Sequence, residues 1–422
     1  MFARVEVLGY RCLRYVNQHL SRFHVLVGPN ASGKSAFLDA LTLMSDVVFY
    51  GLHEALAERS EAEDFRDLTW MRRSDRFELA VEMLVPEDRR KKLRSGSYTT
   101  ARYELALGSL EGEPRILAET FWLGEKPSAA NGAAGQPIES QRTMFPQPPV
   151  PPQTILVRRP RGWKKIVNKV AESGNDYFSS ETSAWNNLFR IGPHKSALAN
   201  LPEDESKFPV ATWFKELLMI GVQQLALNSQ RMRRPSPPRA PKTFLPDGST
   251  LPLVVENLAA RHHQRFEDWL QHVKTALPDL KTIRVVERKE DRHRYMILEY
   301  ENGLKVPSWL ASDGTLRLLA LTLLAYLPDA EGVFLIEEPE NGIHPRAVET
   351  VFQSLSSVYN AQVLIATHSP VVLNIAEPEQ VLCFAKTAEG ATDIVAGSEH
   401  PRLKEWKRET DLGTLLASGV LG

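Results

Sequence analysis

An octapeptide wedged between an apolar strand and an apolar helix limits the folds open to this chain more than any other segment. Gly28-Pro29-Asn30-Ala31-Ser32-Gly33-Lys34-Ser35 follows the β-rich run FHVLV and leads into an apolar helix over 35–43. It fits G-x-x-x-x-G-K-[ST]. Glycines in that spacing let backbone N–H groups close around phosphate oxygens, and the helix start adds the positive end of its dipole. On this reading the loop from Gly28 to Gly33, together with Ala36, lines the phosphates. Lys34 reaches the two outer phosphates, and the Ser35 hydroxyl ligates Mg²⁺. The expected ligands are therefore a nucleoside triphosphate and Mg²⁺.

A loop of this kind sits at the carboxyl edge of a mainly parallel sheet, and the C-terminal third supplies such a sheet. A helix over 313–326, an apolar strand over 333–336, a helix over 346–358, an apolar strand over 362–366 and a third strand over 380–384 alternate in the manner of a doubly wound α/β fold. Two of these strands end in chemistry. Val333-Phe334-Leu335-Ile336 runs into Glu337-Glu338-Pro339-Glu340. Such carboxylates can hold Mg²⁺ (Glu337) and take a proton from an attacking water (Glu338). Val363-Leu364-Ile365-Ala366 runs into Thr367-His368-Ser369. That places His368 at the strand end, where ligands of open α/β sheets bind. Ser312-Asp313-Gly314 opens the helix before the acidic strand. It serves either as a helix cap or as a second phosphate-binding surface that closes the nucleotide of another copy. His344, in NGIHP, reads as a turn or dimer-contact residue.

The remaining chain reads less sharply. Residues 76–86 and 101–107 alternate apolar and polar positions as antiparallel strands do. The Pro-, Gly- and Ala-rich stretch over 125–153 reads as a long loop. Residues 183–222 and 257–277 read as helices, and 282–288 and 294–300 as strands. The resulting division is 1–125, 126–281 (loop and helical insertion) and 282–422. Lys plus Arg number 51 against 52 Asp plus Glu, so overall charge nominates no nucleic-acid partner. A local basic cluster remains: Arg158, Arg159, Arg161, Lys164 and Lys165 surround Trp163, a composition able to meet phosphates and stack on a base. Two cysteines, Cys12 and Cys383, make no disulfide framework and suit a reducing cytoplasm. No apolar run approaches the roughly 20 residues of a membrane helix.

GPNASGKS, SDGT before a helix, LIEEPENGIHP and ATHSP occur in the order of ABC-type ATPase heads. The set resembles the AAA-family, ABC-like clade that includes RecF-like repair proteins, overcoming-lysogenization-defect (OLD) nucleases and the ATPases of bacterial anti-phage systems. The segment over 231–258 and the ending DLGTLLASGVLG resemble parts of the same proteins. The resemblance implies an ABC-type P-loop head with a mixed or parallel sheet, an antiparallel β subdomain and a helical insertion. It implies a homodimer that encloses two ATP molecules, with Ser312, Asp313 and Gly314 of one copy facing the nucleotide at Lys34 of the other. Glu338 becomes the catalytic base, His368 the switch histidine, and 341–345 the loop that communicates across the dimer. The chain departs from the pattern in three places. Glu337 stands where many relatives carry Asp, the signature reads S-D-G-T, and no glutamine that senses Mg²⁺ can be placed. The 422 residues hold no long heptad arm and no acidic nuclease segment. The expectation is an ATPase controlling a separately encoded effector, a nuclease or toxin, in anti-phage defence. The alternative is a stand-alone RecF-like DNA-repair or DNA-remodelling ATPase.

Overall fold

The computed structural model describes residues 1–60, 64–94, 98–125, 150–158, 161–171, 173 and 175–399. Most of the expected 125–153 loop, Arg159 and the ending DLGTLLASGVLG lie outside the described residues. The chain opens with β1 (Phe2–Tyr10), β2 (Leu13–His19), β3 (Phe23–Val27), α1 (Lys34–Phe49) and α2 (Leu52–Ala57). Next come β4 (Arg76–Leu84), α3 (Glu87–Arg90), β5 (Thr100–Leu110), β6 (Glu113–Gly124), β7 (Trp163–Val170), β8 (Tyr177–Ser179) and β9 (Asn186–Leu188). The middle holds α4 (Pro209–Glu216), β10 (Val222–Leu225), α5 (Ser229–Arg233), α6 (Leu251–Arg261) and α7 (His263–Ala276). It continues with β11 (Leu280–Glu287), β12 (Arg294–Tyr300), β13 (Lys305–Pro307) and α8 (Asp313–Leu323). The chain closes with β14 (Gly332–Glu337), α9 (Pro345–Ser356), β15 (Ala361–Ala366), α10 (Pro370–Ile375), β16 (Val381–Lys386) and β17 (Thr392–Ala396).

Three sheets result. The central one has the order β10-β14-β15-β3-β16-β17 and is parallel except at its β17 edge. Its inner strands are apolar along their length because both faces are covered. Alternate side chains feed two separate cores. Leu26, Leu335 and Leu364 point into one with α1 and the antiparallel sheet. Val25, Phe334 and Ile365 point into the other with α6, α7, α8 and α9. The antiparallel sheet has the order β2-β1-β4-β5-β6-β7-β8-β9. The third pairs β11, β12 and β13.

The middle of the chain differs from a purely helical insertion. Residues 163–188 contribute β7, β8 and β9, and the helix expected over 183–222 forms only from Pro209, ending in a π-helical turn over Leu217–Gly221. Two buried carboxylates explain the irregular 193–208 run. Glu119 accepts N–H groups from Ala197 (2.6 Å) and Leu198 (2.9 Å) and the Ser196 hydroxyl (2.7 Å). Glu181 accepts the N–H groups of Val210 and Ala211, both at 2.7 Å, and so starts α4 there. Side chains remote in sequence take the donors that a continuous helix would use.

Candidate nucleotide site

The site forms where β3, β14 and β15 end together. In register, Leu26 pairs with Ala366 and Ala366 with Glu337. The three following turns therefore carry Lys34, Glu338 and His368 to one edge of the sheet. β15, the strand that leads to His368, lies between the other two, an order that only the pairing reveals.

The phosphate loop is held by its neighbours. Gly28 has φ 150°, and a Cβ there would lie 2.1 Å from the carbonyl oxygen of Phe384. Gly33 has φ 106°, and its Cβ would meet Thr392 Oγ1 at 2.1 Å. Only glycine fits either position. Thr392 in turn donates to Ser32 O (2.9 Å), so the edge strand β17 fixes the loop from behind. Ala31 adopts φ 59°, while Pro29, Asn30 and Ala31 are exposed. α1 starts after Gly33 with no side-chain cap, leaving its first N–H groups for a ligand. Ala36 differs from the rest of its group: its methyl is buried in the core, and only its backbone stands at the helix start.

Lys34 is buried, and its ammonium donates to the carbonyls of Gly28 (2.9 Å) and Pro29 (3.0 Å). Burial lowers its pKa to about 8, while the nearby Glu338 and Glu337 carboxylates oppose that shift. The exposed Ser35 hydroxyl donates to Glu337 Oε2. Hydroxyl and carboxylate oxygens in contact at a strand end form a hard donor set that suits Mg²⁺. The Ser32 hydroxyl is buried with no partner among the described residues. The capless helix start, the lysine whose hydrogen bonds among the described residues go to its own loop, and this orphaned hydroxyl fit a bound triphosphate.

Glu337 has a second contact that sequence reasoning missed. Gln224, on edge strand β10, donates from Nε2 to Glu337 Oε1 (3.1 Å). The signal was weak because β10 is four residues long and about 190 residues from the phosphate loop; its parallel pairing with β14 delivers it.

Glu338 has φ 47°, an unusual left-handed conformation for a non-glycine residue at the turn after β14. Its N–H donates to Ala366 O (2.7 Å), and its carboxylate accepts the Asn341 amide. The pKa of His368 is lowered by burial and by Lys34, against the opposing pull of Glu338 and Glu340.

Ser312, Asp313 and Gly314 are tied elsewhere. Ser312 is exposed and caps α8 by accepting Thr315 N–H (3.1 Å). Asp313 pairs with Arg233, whose guanidinium also donates to Ala311 O (3.0 Å). A Cβ on Gly314 would lie 2.4 Å from Gly342 O, so α8 packs closely on the turn after Glu338. Among the described residues, no hydrogen bond or ion pair joins these three to their own phosphate loop. His344 caps α9 by accepting Arg346 N–H (3.3 Å).

The basic cluster is largely occupied. Trp163 lies flat on Gly124, where a Cβ would meet its ring at 2.1 Å. Lys164 Nζ donates to Ser180 O (2.5 Å), and Lys165 donates to Asn168 Oδ1 (2.8 Å) while sitting 4.5 Å from the Trp122 ring centre. Arg158 and Arg161 stay exposed. Among the described residues, no helix is long and apolar enough to cross a membrane.

A sequence family described as "AAA domain, putative AbiEii toxin, Type IV TA system" matches residues 23–113 and 154–374, well over half of the chain. The chain belongs to this AAA-domain family. A curated relative, the "Retron Vc95 probable ATPase" of Vibrio cholerae serotype O1 biovar El Tor, is 26% identical over 161 residues. That match spans 31% of this chain and only 30% of the relative's length. Among solved structures, an Smc head bound to the C-winged helix domain of ScpA aligns with TM-score 0.53 at 12% identity, covering 93% of this chain and 97% of that one. An Smc head with an extended coiled coil, in a complex derived from Pyrococcus furiosus, aligns with TM-score 0.50 at 12% identity, covering 93% and 95%. The family member therefore has the fold of an ABC-type ATPase head.

Proposed function

We propose that this AAA-family chain binds and hydrolyses ATP, pairs with a second copy around Mg-ATP, and through that cycle controls a separately encoded effector in anti-phage defence. One observation carries the ATPase assignment: the Ser35 hydroxyl, the Glu337 carboxylate and Gln224 form one hydrogen-bonded set beside Lys34. ATP would lie against the phosphate loop, held by its backbone and Lys34, and Mg²⁺ at Ser35 and Glu337 would offset phosphate charge. Glu338 would take the proton of an attacking water, with His368 at the end of the neighbouring strand as the second polar group. The exposed Ser312 and Asp313 and the half-buried Gly314, with no partner in their own phosphate loop among the described residues, support pairing in trans.

The effector role draws on the relative named as a retron ATPase and on the toxin and TA system named in the family description. The stand-alone DNA-remodelling reading has less support, because Trp163, Lys164 and Lys165 are held by the protein itself. The test is a Glu338→Gln chain, loaded with ATP and co-expressed with its native neighbouring genes. A nucleotide-retaining dimer that carries a stoichiometric second protein is expected. A monomer free of nucleotide overturns the sandwich, and a dimer carrying nucleic acid but no protein overturns effector control.

A further inference from the structure

The turn that carries Glu338 makes a second connection that none of the roles above uses. Three residues beyond Glu337, the Glu340 side chain leaves the acidic turn and accepts the Thr367 hydroxyl through Oε1. Thr367 immediately precedes His368 and is fully buried. Its Oγ1 also accepts Ser369 N–H (2.9 Å), and its own N–H donates to Leu26 O (3.1 Å) at the end of the phosphate-loop strand. One carboxylate and one hydroxyl thus join the turn after β14 to the turn after β15. Glu338 stands on one side of the link and His368 on the other.

Two further facts argue that this carboxylate does more than fill space. Glu340 Oε2 is buried with no partner among the described residues, an arrangement that costs stability and that a purely structural contact would not require. The Glu340 charge also acts on His368 directly. Glu338 sits in a left-handed backbone conformation, which persists only where surrounding contacts over-determine it. Asn341 restrains the Glu338 side chain. Glu340 restrains the turn as a whole.

We infer that Glu340, acting through Thr367, is a positioning residue that sets the distance between the Glu338 carboxylate and the His368 imidazole for ATP hydrolysis. Glu338 and His368 must have the roles proposed above for this link to matter. Removing it leaves Lys34, Ser35 and the loop backbone in place, so ATP binding should survive while turnover falls.

The experiment measures steady-state ATP hydrolysis by the full-length chain carrying Thr367→Val, Thr367→Ser or Glu340→Gln, and by the Thr367→Val/Glu340→Gln double variant. Thr367→Val keeps the side-chain shape and removes the hydroxyl. It should lower kcat by about 10- to 100-fold, the usual cost of a misplacement near one ångström, with KM for ATP within about twofold. Thr367→Ser should restore most of kcat, and the double variant should be no slower than the slower single one, as expected when two groups form a single link. Fluorescent-ATP binding by each variant serves as the folding control. Unchanged kcat in Thr367→Val, or a multiplicative loss in the double variant, overturns the link. Loss of ATP binding in both Thr367→Val and Glu340→Gln overturns it as well, since the pair would then only support the fold. A Glu338→Gln chain that hydrolyses ATP at the normal rate would instead remove the catalytic assignment, an outcome separate from all of these.

Discussion

The outer face of the antiparallel sheet and the carboxyl edge of the parallel sheet both gather charge, and they treat it in opposite ways. On the antiparallel sheet, Arg102 is buried and meets Glu6 (2.5 Å), Glu82 (2.7 Å), Glu104 (2.7 Å) and the carbonyl of Ile155 (2.9 Å). Glu104 also accepts Thr120 and Trp122, and Glu78 accepts Thr154 and the Ile155 N–H. At the parallel edge, among the described residues, the Lys34 ammonium donates to two loop carbonyls, the Ser32 hydroxyl has no partner, and Glu338 sits at a positive φ. A buried network with its valences filled fixes a fold. A cluster held short of partners keeps capacity for a ligand.

Breaking the filled network should have the largest effect on stability. Arg102→Leu strips Glu104 of its counter-charge, leaves Glu6 and Glu82 with Arg4 alone, and is expected to destabilise the chain by about 3–5 kcal/mol in urea unfolding. Its surviving folded fraction should bind ATP with ordinary affinity, and a selective loss of binding would erase the contrast. Lys34→Ala is the converse: ATP affinity should fall by about 100-fold or more, with the unfolding midpoint nearly unchanged. Nucleotide titration followed by thermal melting of the same sample reads both.

Gln224→Ala should be milder, lowering turnover by about tenfold and raising the Mg²⁺ concentration for half-maximal rate. A magnesium titration of the ATPase checks it, and an unchanged midpoint would detach Gln224 from the metal site.

The two regions also titrate differently. Lys34 must be charged to hold phosphate, and its pKa near 8 means that ATP affinity should fall as pH rises above 8, at most on the order of tenfold per unit. Glu181, on the antiparallel side, has its pKa pushed up to about 7 by burial, against the N–H groups of Val210 and Ala211. A carboxyl with a raised pKa binds its proton more tightly in the native state. Its contribution to stability is therefore full below its unfolded value of 4.5 and lost as pH rises through 7. Glu181→Gln should flatten that part of the stability profile without moving the Lys34 effect; calorimetric melts and ATP titrations from pH 5 to 9 distinguish the two.

The legible parts of the chain were those in which local chemistry and local periodicity coincide. The octapeptide, the strand ending in Glu337 and Glu338, and the strand ending before His368 each announce their geometry within ten residues. Apolar strands buried on both faces read as continuous runs, so β14, β15 and β16 emerged with their helices between them. The segment over 183–222 did not, because Glu119 on β6 and Glu181 in the bend after β8 take its N–H groups. The internal partners of Trp163, Lys164 and Lys165 were not legible for the same reason: Gly124, Ser180 and Asn168 are brought to them by the fold of the sheet.

The sequence by itself determined that this chain carries a phosphate loop at a strand–helix junction and acidic and histidine-bearing turns at the ends of later strands. Glycine spacing, helix dipoles and side-chain chemistry act within a few bonds and need no partner. Only the tertiary structure decided that β15 stands between β3 and β14, that Gln224 reaches Glu337, and that Glu340 meets Thr367. Those contacts join residues separated by 27 to 113 positions. Strand order and register create them, and register is fixed by which side chains can fill the two cores at once.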